Sequence, residues 1–195
     1  MVSAWRVVAS IALAIACALP IGLSLGLSPA ANRLAAPLIY LLYPIPKIVF
    51  LPIILLLLGI GNLSKIFVIS LILFFQMLVV VRDEAANLRP ELVASVRSLG
   101  AGRRALFRYV YLPACLPAVL TSLRVSIGTA IAVLFFAESF ATTSGLGYYI
   151  IVETWGRLDY AEMYAGVVAM SLLGLALYFA VDSIQRRMCP WLETS

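Results

Sequence analysis

Five long apolar runs divide this chain, and polar stretches of unequal length separate them. A helix needs about 20 mostly apolar residues to cross the roughly 30 Å hydrocarbon core of a membrane. The pattern therefore predicts five membrane-spanning helices, over residues 7–27, 34–60, 63–81, 117–137 and 163–181. We expect an all-α, polytopic membrane helix bundle that forms a single domain over residues 1–195.

The second predicted span is interrupted near its middle by Pro44 and Pro46, and Pro52 follows. Proline removes a backbone donor and clashes with the preceding helical turn. Non-helical backbone at membrane depth persists only where protein surrounds it or where it lines a wet cavity. Two interpretations stay open: a broken helix with Pro44 and Pro46 beside a permeation path, or a surface helix followed by a tilted span.

The first apolar run also has two interpretations. Its position after Arg6 resembles a secretory signal, but its 21 uncharged residues exceed the usual signal core of about 7–15. The length therefore favours a true membrane span. Gly22 and Gly26 lie one turn apart on this run and allow close helix packing, which we interpret as packing within the bundle in preference to a subunit contact.

One polar stretch, residues 91–113, contains two short amphipathic segments separated by glycine. Residues 91–99 are predicted to form a helix, because apolar side chains recur there at helical spacing: Leu92, Val96 and Leu99. Pro90 and Glu91 suit its first turn. Gly100 is placed to end this helix in the left-handed conformation.

A second short helix is predicted over residues 103–111, with Leu106, Phe107 and Val110 on its apolar face. We expect Leu112-Pro113 to end this helix. The two segments together predict a helix–glycine–helix loop that lies across the membrane surface without crossing it.

The distribution of charge predicts the orientation of the spans. The chain has 12% charged residues and a net charge of +5, and six of its twelve arginines lie between residues 82 and 108. Cytoplasmic loops are enriched in Lys and Arg, so this loop, the turn at 28–33 and the C-terminal tail are predicted to be cytoplasmic. The acidic loop at 138–162 and the N-terminus then lie outside. Concentration of the charge beside the spans argues against nucleic acid and favours membrane lipid as a contact.

Residue types that serve catalysis are scarce in this sequence. It has no histidine, no GxxxxGK[ST] phosphate loop and no metalloprotease or hydrolase motif. The three cysteines have no metal-ligand spacing: Cys17, Cys115 and Cys189. Lys65 and Glu138 lie at predicted outer span ends, and Arg124 is expected to extend toward the cytoplasm. The sequence predicts no enzyme, cofactor or metal site, and any uphill transport would take its energy from a partner.

Residues 97–101, Arg-Ser-Leu-Gly-Ala, and Leu112-Pro113 resemble the cytoplasmic coupling loop of permease subunits of binding-protein-dependent ABC importers. Ala94-Ser95-Val96 departs from the Glu-Ala-Ala of that motif, which removes one polar docking contact. Further similarities follow in order: Pro20, Gly22 and Gly26; Pro44, Pro46 and Pro52; and Glu138 before Ser144-Gly145-Leu146-Gly147-Tyr148, which resembles an outer-loop signature of the nitrate, sulfonate and taurine branch. That branch usually has six spans, and this chain has room for five.

The resemblance implies a permease subunit in the cytoplasmic (inner) membrane of a prokaryote. Its partners would be a separate ATPase, a periplasmic or lipoprotein substrate-binding protein, and a second permease copy in a homodimer. The solute would be a small anion such as a sulfonate, taurine or nitrate. The coupling loop would span residues 82–113, with ATPase contacts at Glu91, Ser95, Arg97, Ser98, Leu99, Gly100, Ala101, Leu106 and Phe107. A translocation path would pass Pro44, Pro46, Glu138 and Ser139.

Another class of function also fits the pattern. The chain could form a self-contained channel or carrier, with residues 91–113 as a basic interfacial helix on anionic lipid. A helix that only binds lipid would not need Gly100 or Leu112-Pro113, so the pattern favours coupling. A self-contained pore predicts flux through the purified chain alone, without an ATPase or a binding protein.

Overall fold

The computed structural model describes residues 1–140 and 142–192, which form helices and short connections with no strand among them. In chain order the α-helices are α1 Val2–Leu27, α2 Pro29–Leu42, α3 Leu51–Leu58, α4 Asn62–Ala86, α5 Pro90–Ser98, α6 Arg103–Leu106, α7 Leu112–Ser139, α8 Leu146–Tyr148 and α9 Tyr160–Met188. Two π-helical segments, Phe107–Tyr111 and Tyr149–Thr154, interrupt this series. The all-α expectation is confirmed.

Within the described residues, four helical stretches are long and apolar enough to cross a membrane: Val2–Leu27, Asn62–Ala86, Arg104–Ser139 and Tyr160–Met188. A bent pair, Pro29–Leu42 with Lys47–Leu58, has two parts that meet at 77° and makes a fifth crossing if the two parts form one span. The predicted break in the second span is therefore confirmed. Ser28 helps to set the start of α2, because its hydroxyl accepts a hydrogen bond from the Ala31 amide (3.3 Å) ahead of Pro29.

Helices α1 and α4 run parallel and in close contact. Near their starts the Ser10 hydroxyl donates to the carbonyl of Ile66 (3.2 Å), and near their ends Gly22 lies against Val81. A Cβ atom on Gly22 would come within 2.7 Å of the Val81 side chain, so glycine is what permits this approach. Packing of Gly22 within the bundle is confirmed. Because α1 and α4 point the same way, the chain between them must return through the bent α2–α3 pair.

The prediction that Leu112-Pro113 ends a short helix was wrong. The helix that starts at Arg103 continues through the π-helical segment Phe107–Tyr111 directly into α7. Proline lacks the amide that a regular helical turn would need and clashes with the carbonyl four residues back. A wider π-helical turn just before Pro113 accommodates that mismatch, so the proline sits in the first turn of α7 without terminating the helix.

Helix α9 lies at the edge of the bundle and contacts α7 through polar groups. Arg124 forms an ion pair with Asp182, which also accepts a hydrogen bond from Arg186 (2.9 Å). The Gln185 amide donates to the hydroxyl of Thr121 (3.0 Å). Arg124 is therefore paired with a carboxylate of the neighbouring helix, since an unpaired cation at this depth would be costly.

We predict that Gly22→Ala destabilises the bundle, whereas Gly128→Ala in α7 does not. An added Cβ at Gly22 meets Val81, and overpacking of this kind costs about 1–3 kcal/mol. A Cβ at Gly128 meets no atom within 4 Å and gains the higher helix propensity of alanine. The measurement is the free energy of unfolding of both variants in mixed micelles. Equal stability of the two variants would contradict the close packing of α1 on α4.

Candidate coupling surface and solute cavity

Helix α5 is defined by its terminal residues. Pro90 occupies the first turn with Glu91, and Arg97 lies in the last turn, so both charges complement the helix dipole. Gly100 adopts φ +84°, and its amide donates to the carbonyl of Arg97 (3.0 Å). The predicted left-handed glycine is confirmed. The helix ends at Ser98, so Leu99 lies in the turn and not on the helical face.

The predicted coupling residues form an exposed surface at the end of the bundle that is rich in arginine. Seven of the nine are exposed, and six of these lie in or directly after α5: Glu91, Ser95, Arg97, Ser98, Leu99 and Gly100. Leu99, in the turn after α5, has 85% of its surface accessible. Phe107 is also exposed, Ala101 is half-buried, and Leu106 is only 2% exposed. Leu106 is therefore buried beneath the exposed side chains of this loop.

A groove of about 340 Å³ separates α5 from the π-helical segment. Leu92 and Val96 line it on one side and Tyr109 and Val110 on the other, with Trp191 from the C-terminal region at its edge. Two of the three positions predicted for the apolar face of α5 therefore face the bundle, and Leu99 does not.

The opposite end of the bundle contains a buried ionic cluster around Glu138. The Arg6 guanidinium donates to Glu138 Oε1 (2.5 Å), to the Ser144 carbonyl (2.8 Å) and to Asn62 Oδ1 (2.9 Å). The Ser3 hydroxyl donates to the same carboxylate at 2.9 and 3.0 Å. Arg6 is 2% exposed and Glu138 is 0% exposed. The cluster therefore joins α1 to α7 through buried charged groups, and Arg6 extends it to the loop after α7 and to the exposed Asn62 at the start of α4.

Two glycines allow the loop to close around this carboxylate. Gly147 donates its amide to Glu138 Oε2 (3.1 Å), and a Cβ there would lie 2.7 Å from both the Glu138 Cβ and the Phe135 carbonyl. Gly145 has φ +125°, and a Cβ on it would overlap the Glu138 carboxylate. The Ser-Gly-Leu-Gly sequence at residues 144–147 therefore forms a loop that packs closely around the buried Glu138 carboxylate.

Sequence reasoning singled out Glu138 but missed its partners Ser3 and Arg6, and it missed Asn62, which accepts a hydrogen bond from Arg6. A usable signal was present, because the predicted orientation places Arg6 and Glu138 at the same outer end. A buried ionisable group needs a partner of opposite charge, and Arg6 was the nearest candidate at that end of α1. Lys65 is also buried, at 1% exposure, and donates to the Gly61 carbonyl (3.2 Å).

The predicted path residues lie in two separate places. Pro44 and Pro46 line a cavity of about 330 Å³ with Lys47, Phe75 and Gln76. Glu138 lies in the buried cluster, and the Ser139 hydroxyl donates to the Phe135 carbonyl within its own helix (2.7 Å). The structure therefore brings the prolines of the broken span to a cavity and places Glu138 and Ser139 at the outer end of α7.

A larger cavity of about 670 Å³ adjoins the first, and Tyr43 and Gln76 line both. Its other wall is the side of α7 that carries hydroxyl groups: Thr121, Ser122, Ser126 and Thr129. Glu84 of α4 also lines this cavity. The broken span, α4 and α7 together form a surface along one side of the bundle, on which the hydroxyl groups of α7 lie among apolar side chains such as Val80, Ala118 and Val125.

The outer loop is acidic, and its carboxylates interact with neighbouring groups. The Tyr149 hydroxyl donates to Glu162 (3.0 Å), and this hydrogen bond, followed by burial and the nearby negative charges, raises the pKa of Tyr149. Asp159 caps the start of α9 by accepting a hydrogen bond from the Glu162 amide (3.2 Å).

The fold is that of an ABC-transporter permease. It superposes with a TM-score of 0.77 on a chain of the MetNI methionine ABC transporter in an inward-facing conformation, at 20% identity, covering 96% of this chain and 93% of that chain. Residues 18–194 match the family of binding-protein-dependent transport system inner membrane components. The chain belongs to this family, and it is the multi-pass permease subunit of an ABC importer in the inner membrane, not an enzyme in its own right.

The chain is also similar to permease proteins of known or assigned transport systems. The chain is 30% identical over 187 residues to the taurine transport system permease protein TauC of Escherichia coli K12, covering 95% of this chain and 67% of the relative. It is 26% identical over 190 residues to the putative aliphatic sulfonates transport permease protein SsuC of Bacillus subtilis 168, covering 97% and 68%. It is 29% identical over 184 residues to the formylaminopyrimidine transport permease protein ThiX of Halalkalibacterium halodurans, covering 93% and 73%. Membership implies ATPase and substrate-binding partners.

We predict that Glu138→Gln lowers the free energy of unfolding by about 3–5 kcal/mol, because it leaves the Arg6 guanidinium buried without a counter-charge. Unfolding in mixed micelles measures the effect. Glu153→Gln is the matched control, since Glu153 lies in the outer loop and makes no ion pair to another described residue. A Glu138→Gln variant as stable as this control would show that the buried pair does not hold the helices together.

Proposed function

We propose that α5 and the turn at Gly100 dock on the separate ATPase subunit and carry its motion into the bundle. The exposed side chains from Glu91 to Leu99, together with Phe107, supply the contact surface. Leu106 is buried beneath it. The observation that carries this proposal is the continuous helix from Arg104 to Ser139, because a helix without a break passes a displacement at its exposed start along its whole length.

The solute path lies along the surface that the broken span, α4 and α7 form. Pro44 and Pro46 lie in the break of the bent span, where the backbone beside this surface is not helical, and the hydroxyl groups of α7 line the surface. A second copy of the permease in a homodimer faces this surface and closes the path. Glu138 and Ser139 act at its outer end, where the ionic cluster fixes the loop to which the binding protein delivers solute. The relatives support a small organic solute such as taurine or another sulfonate, and nitrate stays an alternative that rests on the resemblance of the outer-loop signature.

Residues 1–195 form a single transmembrane domain in this proposal, with residues 82–113 as its coupling loop. The coupling loop, which is predicted to lie on the cytoplasmic side, contains several arginines, including Arg89, Arg97, Arg104 and Arg108. These cations also contact anionic lipid headgroups at the membrane surface.

The experiment that tests the coupling proposal is site-directed crosslinking. Cysteines replace Ser98 and Ala101 one at a time in a Cys17→Ser background, because Cys17 is exposed while Cys115 and Cys189 are buried. The tagged chain is crosslinked in its native membrane, and mass spectrometry identifies the attached protein. We expect a P-loop ATPase. Thr143→Cys, at the opposite end of the bundle, is the control and is expected not to capture it. Capture of no ATPase at Ser98 and Ala101, with ATPases detectable in the extract, would refute the coupling proposal.

We predict that Gly100→Val abolishes stimulated ATP hydrolysis and uptake in the assembled transporter. A β-branched residue is strained at φ +84°, so α5 must change its direction. Gly102→Val is the matched control, because Gly102 has no positive φ and a Cβ there meets no atom within 4 Å. ATPase activity and uptake of reconstituted transporter are the measurements, and normal values for Gly100→Val would contradict the role of this turn.

A further inference from the structure

The groove between α5 and the π-helical segment has a half-exposed tryptophan at its edge. The side chains around this groove of about 340 Å³ are mostly apolar and include Leu92, Val96 and Val110. Trp191, in the short 3₁₀-helical segment Pro190–Leu192 after α9, also lines the groove and is 48% exposed. Burial of apolar surface is favourable, so closing the groove on the indole would remove apolar surface of both from water.

Helix α5 is held loosely enough to move toward this groove. None of its nine residues is buried, and Val93 and Val96 are only half-buried. A helix this short is marginal without tertiary packing. The non-helical residues 87–89 precede it, and Gly100, with φ +84°, follows it. A force on its exposed side chains therefore tilts α5 as a unit, while the chain turns at these two joints.

The backbone that carries Trp191 is fixed, by contrast. Cys189, two residues earlier, is 1% exposed, and its amide donates to the Gln185 carbonyl (2.8 Å). The side-chain amide of Gln185 in turn donates to the Thr121 hydroxyl of α7 (3.0 Å). One turn earlier, α9 also forms the ion pair with α7 described above. A displacement that reaches the indole is therefore passed to α9 and, through these contacts, to α7.

We propose that Trp191 is a positioning residue for coupling, and that the groove closes on its indole when the ATPase presses on α5. Motion of the ATPase then enters the bundle by two routes, through α6 into α7 and through Trp191 into α9. This inference rests on the proposed function, because it takes α5 as the helix on which the ATPase docks. It adds a second contact between that helix and the bundle.

The first test measures solute uptake per ATP hydrolysed in the reconstituted transporter, with its ATPase and binding protein. We expect Trp191→Ala to lower this ratio by roughly two- to tenfold, the range for loss of one aromatic packing contact. Trp191→Phe keeps an aromatic ring and is expected to retain most of the ratio. Met188→Ala is the matched control, because Met188 is 49% exposed in the last turn of α9 and is not among the described residues that line the groove.

The second test detects closure of the groove with the indole in place. Trp5→Phe and Trp155→Phe leave Trp191 as the one tryptophan of the chain. The chain is produced with 5-hydroxytryptophan, which is excited at longer wavelengths than the tryptophans of the partner subunits. Quenching by acrylamide is compared between the nucleotide-free transporter and the transporter trapped with ATP and vanadate. We expect the quenching constant to fall about twofold or more on trapping, because the indole becomes covered.

Three results would overturn the inference: an unchanged ratio of uptake to ATP hydrolysis in Trp191→Ala, an equal loss in Met188→Ala, or a quenching constant that does not fall on trapping. Crosslinking of the ATPase at Ser98 does not depend on Trp191. Capture of the ATPase there, together with any of these results, would refute the second route and leave docking on α5 intact.

Discussion

The bundle depends on a carboxylate that has no access to water. The Glu138 carboxylate at the end of α7 accepts hydrogen bonds from the Arg6 guanidinium, the Ser3 hydroxyl and the Gly147 amide. An ionised group left alone in a medium of low dielectric constant would cost several kcal/mol. This requirement explains how close the loop after α7 lies to Glu138 and why that loop contains Gly145 and Gly147.

A second constraint follows from the parallel pairing of α1 and α4. Parallel neighbours cannot be joined by a short turn, so the chain must cross back between them, and it does so through the bent α2–α3 pair. Lys47 satisfies backbone carbonyls that the break exposes. The break thus places polar groups against α4 and α7, and Lys47 supplies hydrogen-bond donors to carbonyl groups there, as irregular backbone at this depth requires.

The two ends of the bundle differ in how firmly their segments are held by buried contacts. The outer end is locked by buried ionic contacts, whereas the arginine-rich end exposes α5 and connects it to the membrane through one uninterrupted helix. The π-helical segment before Pro113 lets that helix pass through a proline without stopping. A rigid outer end and an exposed lever at the other end suit a subunit of an importer that is driven from the cytoplasmic side.

Local patterns in the sequence were sufficient for the five crossings, the interruption at Pro44 and Pro46, the helix near residue 91 and the left-handed Gly100. Each of these follows from hydrophobic spacing or from the backbone preference of one residue, which act over a few neighbours. The pairing of Arg6 with Glu138 across 132 residues was decided only by the tertiary structure, because the energy of burying a charge depends on which helices meet. The same holds for the continuation through Pro113, for Arg124 with Asp182, and for the cavity beside Glu84, since each arises from the arrangement of helices and not from the order of residues within one.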